Sequence, residues 1–219
     1  MSPQAVLFDM DGLMLDSEGL YQEAWQVAAD ELGYTLADDV YLSLVGRSNA
    51  EAAATFVDVF GPDFPIADFN NRWHTHWQEL VRAKGVSLKP GLLGLLDWLE
   101  AQTVPKAVGT SSNAAEAHLC LSVAGIRDRF ATLVTVDQVN AGKPAPDIFL
   151  EAAHRLGVRP ADCLVLEDSN AGVQAAHSAG IPVVMVPDLQ TPTDASKAIA
   201  LAILPSLHAV KTWLTPRIG

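Results

Sequence analysis

Residues 6–18 read VLFDMDGLMLDSE, and this stretch decides the architecture. Val6-Leu7-Phe8 is an uninterrupted apolar run, the pattern of a buried strand. It stops at two carboxylates one residue apart, Asp9 and Asp11, followed by Gly12. Side chains alternate along a strand, so Asp9 and Asp11 are expected to point the same way. Two carboxylates on one side of a strand end repel each other unless a cation lies between them. A hard ion with oxygen ligands, Mg²⁺, suits that place. A carboxylate beside such an ion can also act as a nucleophile. A solvated Asp-Gly turn would give the same letters. Matching groups downstream separate the two readings.

Three further apolar runs end in chemistry. Lys106-Ala107-Val108-Gly109 leads into Thr110-Ser111-Ser112-Asn113, and a helical pattern starts at Ala114. Hydroxyls at a helix N-terminus bind phosphate oxygens. Ordinary capping by Ser112 or Asn113 explains the same residues. Leu133-Val134-Thr135-Val136 leads to Gly142-Lys143-Pro144-Ala145-Pro146-Asp147. Lys143 is restrained between Gly and Pro, and its ammonium is a point charge suited to a phosphoryl group and a carboxylate. A solvated loop lysine is the plainer account. Cys163-Leu164-Val165-Leu166 ends in Glu167-Asp168-Ser169. Paired acids at the end of a buried strand are costly unless neutralised. A capping box for the next helix explains only one of them.

Four strand ends thus carry, in order, carboxylates, hydroxyls, a lysine and more carboxylates. In this the chain resembles the haloacid dehalogenase superfamily, in its branch of phosphatases and phosphomutases with a helical cap inserted after the first motif. FDMDGLMLDSE matches the first motif, VGTSSN the second, GKPAPDIF the third and VLEDSNAGVQAA the fourth. The resemblance runs from about residue 3 to residue 187. It implies a Mg²⁺-dependent phosphatase of a small phosphorylated metabolite, such as a sugar phosphate or phosphoglycolate. Asp9 would be the nucleophile that becomes an aspartyl-phosphate, and Asp11 the general acid and base. Lys143 would stabilise charge on the phosphoryl group and on Asp9. Thr110, Ser111 and Asn113 fall on the phosphate side. Asp9, Asp168 and the Asp11 main-chain carbonyl would ligate the metal, with Glu167 as an additional or outer-shell ligand. Asp16 would buttress the loop leading to the cap. Arg47 lies where a cap loop of the family leans over the site, and a surface arginine is equally consistent.

The rest of the chain supports an α/β fold with a doubly wound parallel sheet and an inserted all-helical cap. Residues 1–16 and 89–219 alternate strand and helix patterns, which implies a parallel sheet. Residues 17–88 are helical in pattern, with Tyr21, Trp25, Ala28 and Leu32 at helical spacing. This segment holds most of the aromatic residues, expected to form its own core. Gly61-Pro62 and Phe64-Pro65 divide it into separate helices. In doubly wound sheets ligands bind outside the carboxyl ends of the strands, where every motif falls.

Composition bounds the partners. The chain has 219 residues, 49% hydrophobic, and a net charge of −12. That charge argues against nucleic acid and anionic membranes. No apolar run is long enough to span a membrane. Met1 to Gly12 has no basic region followed by an apolar stretch, so no signal peptide is expected. Cys120 and Cys163 read as buried thiols of a reducing compartment, the cytoplasm.

Two other activities and a non-catalytic phosphate-binding module compete with the phosphatase reading. A sugar phosphomutase like β-phosphoglucomutase shares all four motifs. That branch has a histidine after the first motif and a lysine and an arginine in the cap, where Tyr21, Val45 and Asn49 stand here. A haloacid dehalogenase lacks the second aspartate of the first motif, so Asp11 argues against it. Retention of all four motifs argues against a mere binding module.

Overall fold

The computed structural model describes residues 2–44 and 49–218, and within them every side chain but those of residues 42 and 49–51. The chain forms two compact units, Met1–Asp16 with Val86–Gly219, and Ser17–Gly85. In chain order come β1 (Ala5–Phe8), β2 (Leu15–Asp16), α1 (Glu18–Glu31), α2 (Asp38–Leu44), α3 (Asn49–Phe60), α4 (Ile66–Lys84) and β3 (Ser87–Leu88). They are followed by α5 (Leu92–Ala101), β4 (Lys106–Gly109), α6 (Ala114–Val123), β5 (Thr132–Val134), α7 (Asp147–Leu156) and β6 (Cys163–Glu167). The last elements are α8 (Asn170–Ser178), β7 (Val183–Met185), α9 (Asp194–Ile199), β8 (Ala202–Ile203) and α10 (Leu207–Leu214).

The first unit is built on a parallel sheet of order β5-β4-β1-β6-β7-β8. Every residue of β1, β4, β6 and β7 is buried, as a sheet covered on both faces requires. Ala5, Leu7, Cys163 and Val165 on one face pack with Ile148 and Phe149 of α7 and Val173 of α8. From β1 the chain crosses to β4 and β5 on one side, then returns to β6, β7 and β8 on the other. Loops leaving β1 and its neighbours therefore diverge, opening a crevice at their carboxyl ends. Phe8 pairs with both Val108 and Leu166, so Asp9, Gly109 and Glu167 come level at that edge.

β2 and β3 form a short antiparallel pair, Leu15 opposite Leu88 and Asp16 opposite Ser87. Lys89 Nζ secures this pair, lying 3.1 Å from Asp16 Oδ1 and 2.7 Å from Asp188 Oδ1.

β4 opens on a charged residue. This residue, Lys106, is only 6% exposed. Its Nζ donates to Glu100 Oε1 at 3.0 Å, and Arg129 grips both oxygens of the same carboxylate at 2.7 Å. The Arg129 and then the Lys106 hydrogen bonds lower the Glu100 pKa to about 2, from 4.5. A depressed folded-state pKa contributes stability that is present above the unfolded value and lost as pH falls through the folded one. Glu100→Gln is therefore expected to lower the melting temperature at pH 7. That deficit should shrink as pH falls from 4.5 toward 2, and thermal melts across this range check it.

The second unit is the four helices α1 to α4. Its interior is aromatic: Trp25 meets Tyr41, Phe56, Phe69 and Trp73 at centroid distances of 5.5 to 5.9 Å. Such pairs add to the large apolar area that each ring buries. His74 stacks on Trp73 while His76 Nε2 lies 3.0 Å from Glu31 Oε1, so the two histidines serve different neighbours.

Candidate active site

Four loops of the first unit converge at the carboxyl edge of the sheet. β1 delivers Asp9, which is 6% exposed, and its backbone N–H continues the ladder to Leu166 O at 3.0 Å. The chain then turns sharply, with Met14 N and Leu15 N both donating to Met10 O. Gly12 carries this turn at φ +79°, a left-handed conformation that favours glycine. A Cβ at Gly12 would also lie 2.4 Å from Asp168 Oδ2, so the turn leaves room for that carboxylate.

Asp9, Glu167 and Asp168 each place a carboxylate oxygen within 4.8 Å of the others. Lys143 enters from the third loop with its side chain 4% exposed. Its Nζ donates to Asp9 Oδ1, and to Glu167 Oε1 at 2.6 Å. The ammonium also lies 4.8 Å from the Phe149 ring centroid, a cation–π contact from α7. The other oxygen of Glu167 accepts from Ser169 N at 2.7 Å and Ser169 Oγ at 2.9 Å. Glu167 is thus engaged on both oxygens, anchoring Lys143 on one side and the β6–α8 loop on the other.

Burial pushes the Asp9 carboxyl well above the usual range. Lys143 pulls it back, and Glu167 and Asp11 push it up again. Asp168 is raised by burial, then by Glu167 and Asp9. Burial alone would lower the Lys143 pKa, but Asp9 and Glu167 outweigh it and hold the ammonium charged. Three carboxylates face one ammonium, a formal surplus of two negative charges (three minus one). That surplus equals the charge of one divalent cation, and oxygen-only donors in a small cradle suit a hard ion. The residues present fit such a metal.

The second motif supplies hydroxyls. Thr110 is 1% exposed, and its backbone N–H donates to Val134 O at 3.0 Å. Thr110 Oγ1 accepts from Ser112 N at 3.0 Å, so its own proton remains for a further acceptor. Ser111 is exposed. The Asn113 side chain caps α6, accepting from Glu116 N at 3.0 Å, while Glu116 Oε2 accepts from Asn113 N. The Asp11 carboxylate lies outside the three-acid cluster, and Ser112 Oγ donates to its Oδ2 at 2.8 Å. Tyr21 stacks on Trp77 at 5.1 Å within the helical unit. Arg47 and Val45 lie outside the described residues, as does the side chain of Asn49.

Sequence reasoning took Ser112 only as a possible cap and passed over two other participants. Ser112 was legible as a participant: Asn113 with Glu116 three residues on is a capping box, which leaves the serine hydroxyl for other use. Phe149 beneath Lys143 and Gly172 beside Glu167 had no signal of their own.

A family model described as haloacid dehalogenase-like hydrolase matches residues 6–186, which include all four loops. The chain belongs to that family. This hydrolase is 33% identical over 178 residues to the phosphorylated carbohydrates phosphatase of Thermotoga maritima, covering 81% of this chain and 82% of that one. It is 34% identical over 189 residues to the bifunctional riboflavin kinase/FMN phosphatase of Arabidopsis thaliana. There the match takes 86% of this chain and spans about half, 49%, of the plant protein. Among solved structures, a putative β-phosphoglucomutase from Thermotoga maritima aligns with TM-score 0.81 and 29% identity, over 97% of this chain and 98% of that one.

Proposed function

We propose that this hydrolase is a Mg²⁺-dependent phosphatase of small phosphorylated metabolites, carbohydrate phosphates foremost, working through an aspartyl-phosphate. One observation carries the reading: Asp9 directly follows β1 with Lys143 on one oxygen, Asp168 beside it and Thr110 just past the neighbouring β4. The phosphatase names of the relatives support the reaction class.

In this reading Asp9 attacks phosphorus and the bond from phosphorus to the ester oxygen breaks. Asp11 gives its proton to the departing oxygen. Asp11, now a carboxylate, takes a proton from the water that attacks the aspartyl-phosphate, which frees inorganic phosphate and Asp9. Lys143, fixed by Glu167 and Phe149, keeps its charge beside the phosphoryl oxygens, and the Thr110 hydroxyl donates to one of them. Asp9, Asp168 and the Asp11 main-chain carbonyl would hold Mg²⁺, with Glu167 in the outer shell because both its oxygens are engaged. The ion offsets the negative charge of the site and of the phosphate. We assign the helical unit Ser17–Gly85 the role of substrate-selecting cap. The chain's acidity argues against a nucleic-acid partner, and its two buried free cysteines suit the cytoplasm. Among the described residues no helix is long and apolar enough to cross a membrane.

A sugar phosphomutase is the second reading, favoured by the likeness to the putative β-phosphoglucomutase of Thermotoga maritima. A panel of phosphorylated sugars, polyols and phosphoglycolate, read as released phosphate with Mg²⁺ and then with excess chelator, tests both. Phosphate release that falls to background in chelator is expected. Full turnover in chelator would exclude the metal. Efficient conversion of β-glucose 1-phosphate to glucose 6-phosphate with a bisphosphate activator, without net release, would establish the mutase.

A further inference from the structure

We infer that Ser112 is a positioning residue for proton transfer by Asp11, and that it keeps this acid in register with the phosphate-binding hydroxyl of Thr110. The inference rests on the role given to Asp11 above. Ser112 Oγ donates to Asp11 Oδ2 at 2.8 Å, joining loops 101 residues apart in sequence. The serine backbone is held from both sides. Its N–H donates to Thr110 Oγ1 at 3.0 Å, and its carbonyl accepts from Val136 N at 3.2 Å. Its hydroxyl is not spent on α6, because Asn113 and Glu116 cap that helix between them.

A carboxyl group transfers a proton well only when its plane and rotamer are set before the transition state is reached. Asp11 follows the buried end of β1 and precedes the left-handed Gly12, so its backbone is fixed while its side chain still has rotamers to choose from. The hydrogen bond from this pinned serine holds Oδ2 and so contributes to that choice. The same serine, through its N–H, orients the Thr110 oxygen so that the Thr110 proton faces away from Ser112. Phosphoryl binding and proton delivery are therefore coupled through Ser112, which bonds both Thr110 and Asp11.

The test compares p-nitrophenyl phosphate, whose leaving group needs little protonation, with the best alkyl phosphate from the panel. General acid–base catalysis typically contributes about 10²–10⁴-fold, and losing the aim of the acid should forfeit part of it, on the order of tenfold. Ser112→Ala should lower kcat by roughly that factor on the alkyl ester, with KM little changed, and leave the aryl ester nearly untouched. Ser112→Cys keeps the bulk with only a weak donor and should show the same selectivity, which guards against a folding defect in the alanine variant. Ser112→Thr keeps the hydroxyl and should restore the alkyl rate. Added to Asp11→Asn, Ser112→Ala should cost nothing more. Equal losses on both esters, a loss expressed in KM, or a full additional loss on top of Asp11→Asn would overturn the inference in an enzyme that still releases phosphate. If the unaltered protein hydrolyses neither ester, the phosphatase reading itself fails and this one falls with it.

Discussion

Asp9→Asn should abolish turnover and leave no covalently bound phosphate, whereas Asp11→Asn should still be phosphorylated, slowly and selectively. The contrast follows from where the two carboxylates lie. Asp9 is buried, accepts from Lys143, and is one of the three acids that could share a metal. The amide is a poor nucleophile and removes one of the negative charges that hold Lys143, so both attack and charge balance are lost. Asp11 stands outside that cluster, with its side chain hydrogen-bonded by Ser112. Its amide keeps the shape and the main-chain carbonyl but cannot transfer a proton. The loss for an alkyl phosphate should lie within about 10²–10⁴-fold, and should be smaller for an aryl phosphate. Burst measurements on both variants with both esters supply the check. Covalent trapping of phosphate by Asp9→Asn would place the nucleophile elsewhere. Equal losses on the two esters in Asp11→Asn would remove Asp11 as the acid.

Gly172→Ala should destabilise the protein, although the position lies inside α8. In an ordinary helix interior the change from glycine to alanine stabilises by about 0.5–1 kcal/mol. Here the added Cβ would lie 1.7 Å from Glu167 Oε1 and 1.9 Å from its carboxyl carbon. Glu167 is fully buried and holds Lys143 and Ser169, so it has no room to withdraw without breaking those bonds. Breaking a buried charged pair costs about 3–5 kcal/mol, which for a chain of this size is a fall in melting temperature on the order of 10 °C. Activity should fall with it, because Lys143 loses its anchor. Glu167→Ala in the same background should return part of the stability by removing the clash, a coupling that a double-mutant cycle measures. A Gly172→Ala protein as stable as the parent would show that the carboxylate does not lie against the helix as described.

The two predictions rest on different kinds of information. Asp9, Asp11, Lys143 and Asp168 could be picked out by reading the chain because each follows an apolar run, and parallel strands in a doubly wound sheet bring such ends to one edge. The α/β class follows from the same alternation, since a run like Val6-Leu7-Phe8 has to be covered on both faces. Periodicity of this kind is local, and local pattern reports which side of an element a residue occupies. It carries no record of which residue far along the chain arrives opposite. That Ser112 meets Asp11, that Glu167 anchors Lys143 above Phe149, and that Gly172 leaves room for Glu167 are meetings between loops and helices separated by up to 101 residues. The pairing of Ser87–Leu88 with Leu15–Asp16 is of the same sort: a two-residue strand has no period to read, and only its partner makes it a strand. The sequence by itself pointed to the sheet and to the acids, hydroxyls and lysine that follow its strands. Tertiary structure alone decided which of those groups touch, because side-chain contacts at hydrogen-bond distance depend on how the strands register and the helices pack, and neither is written in any one segment.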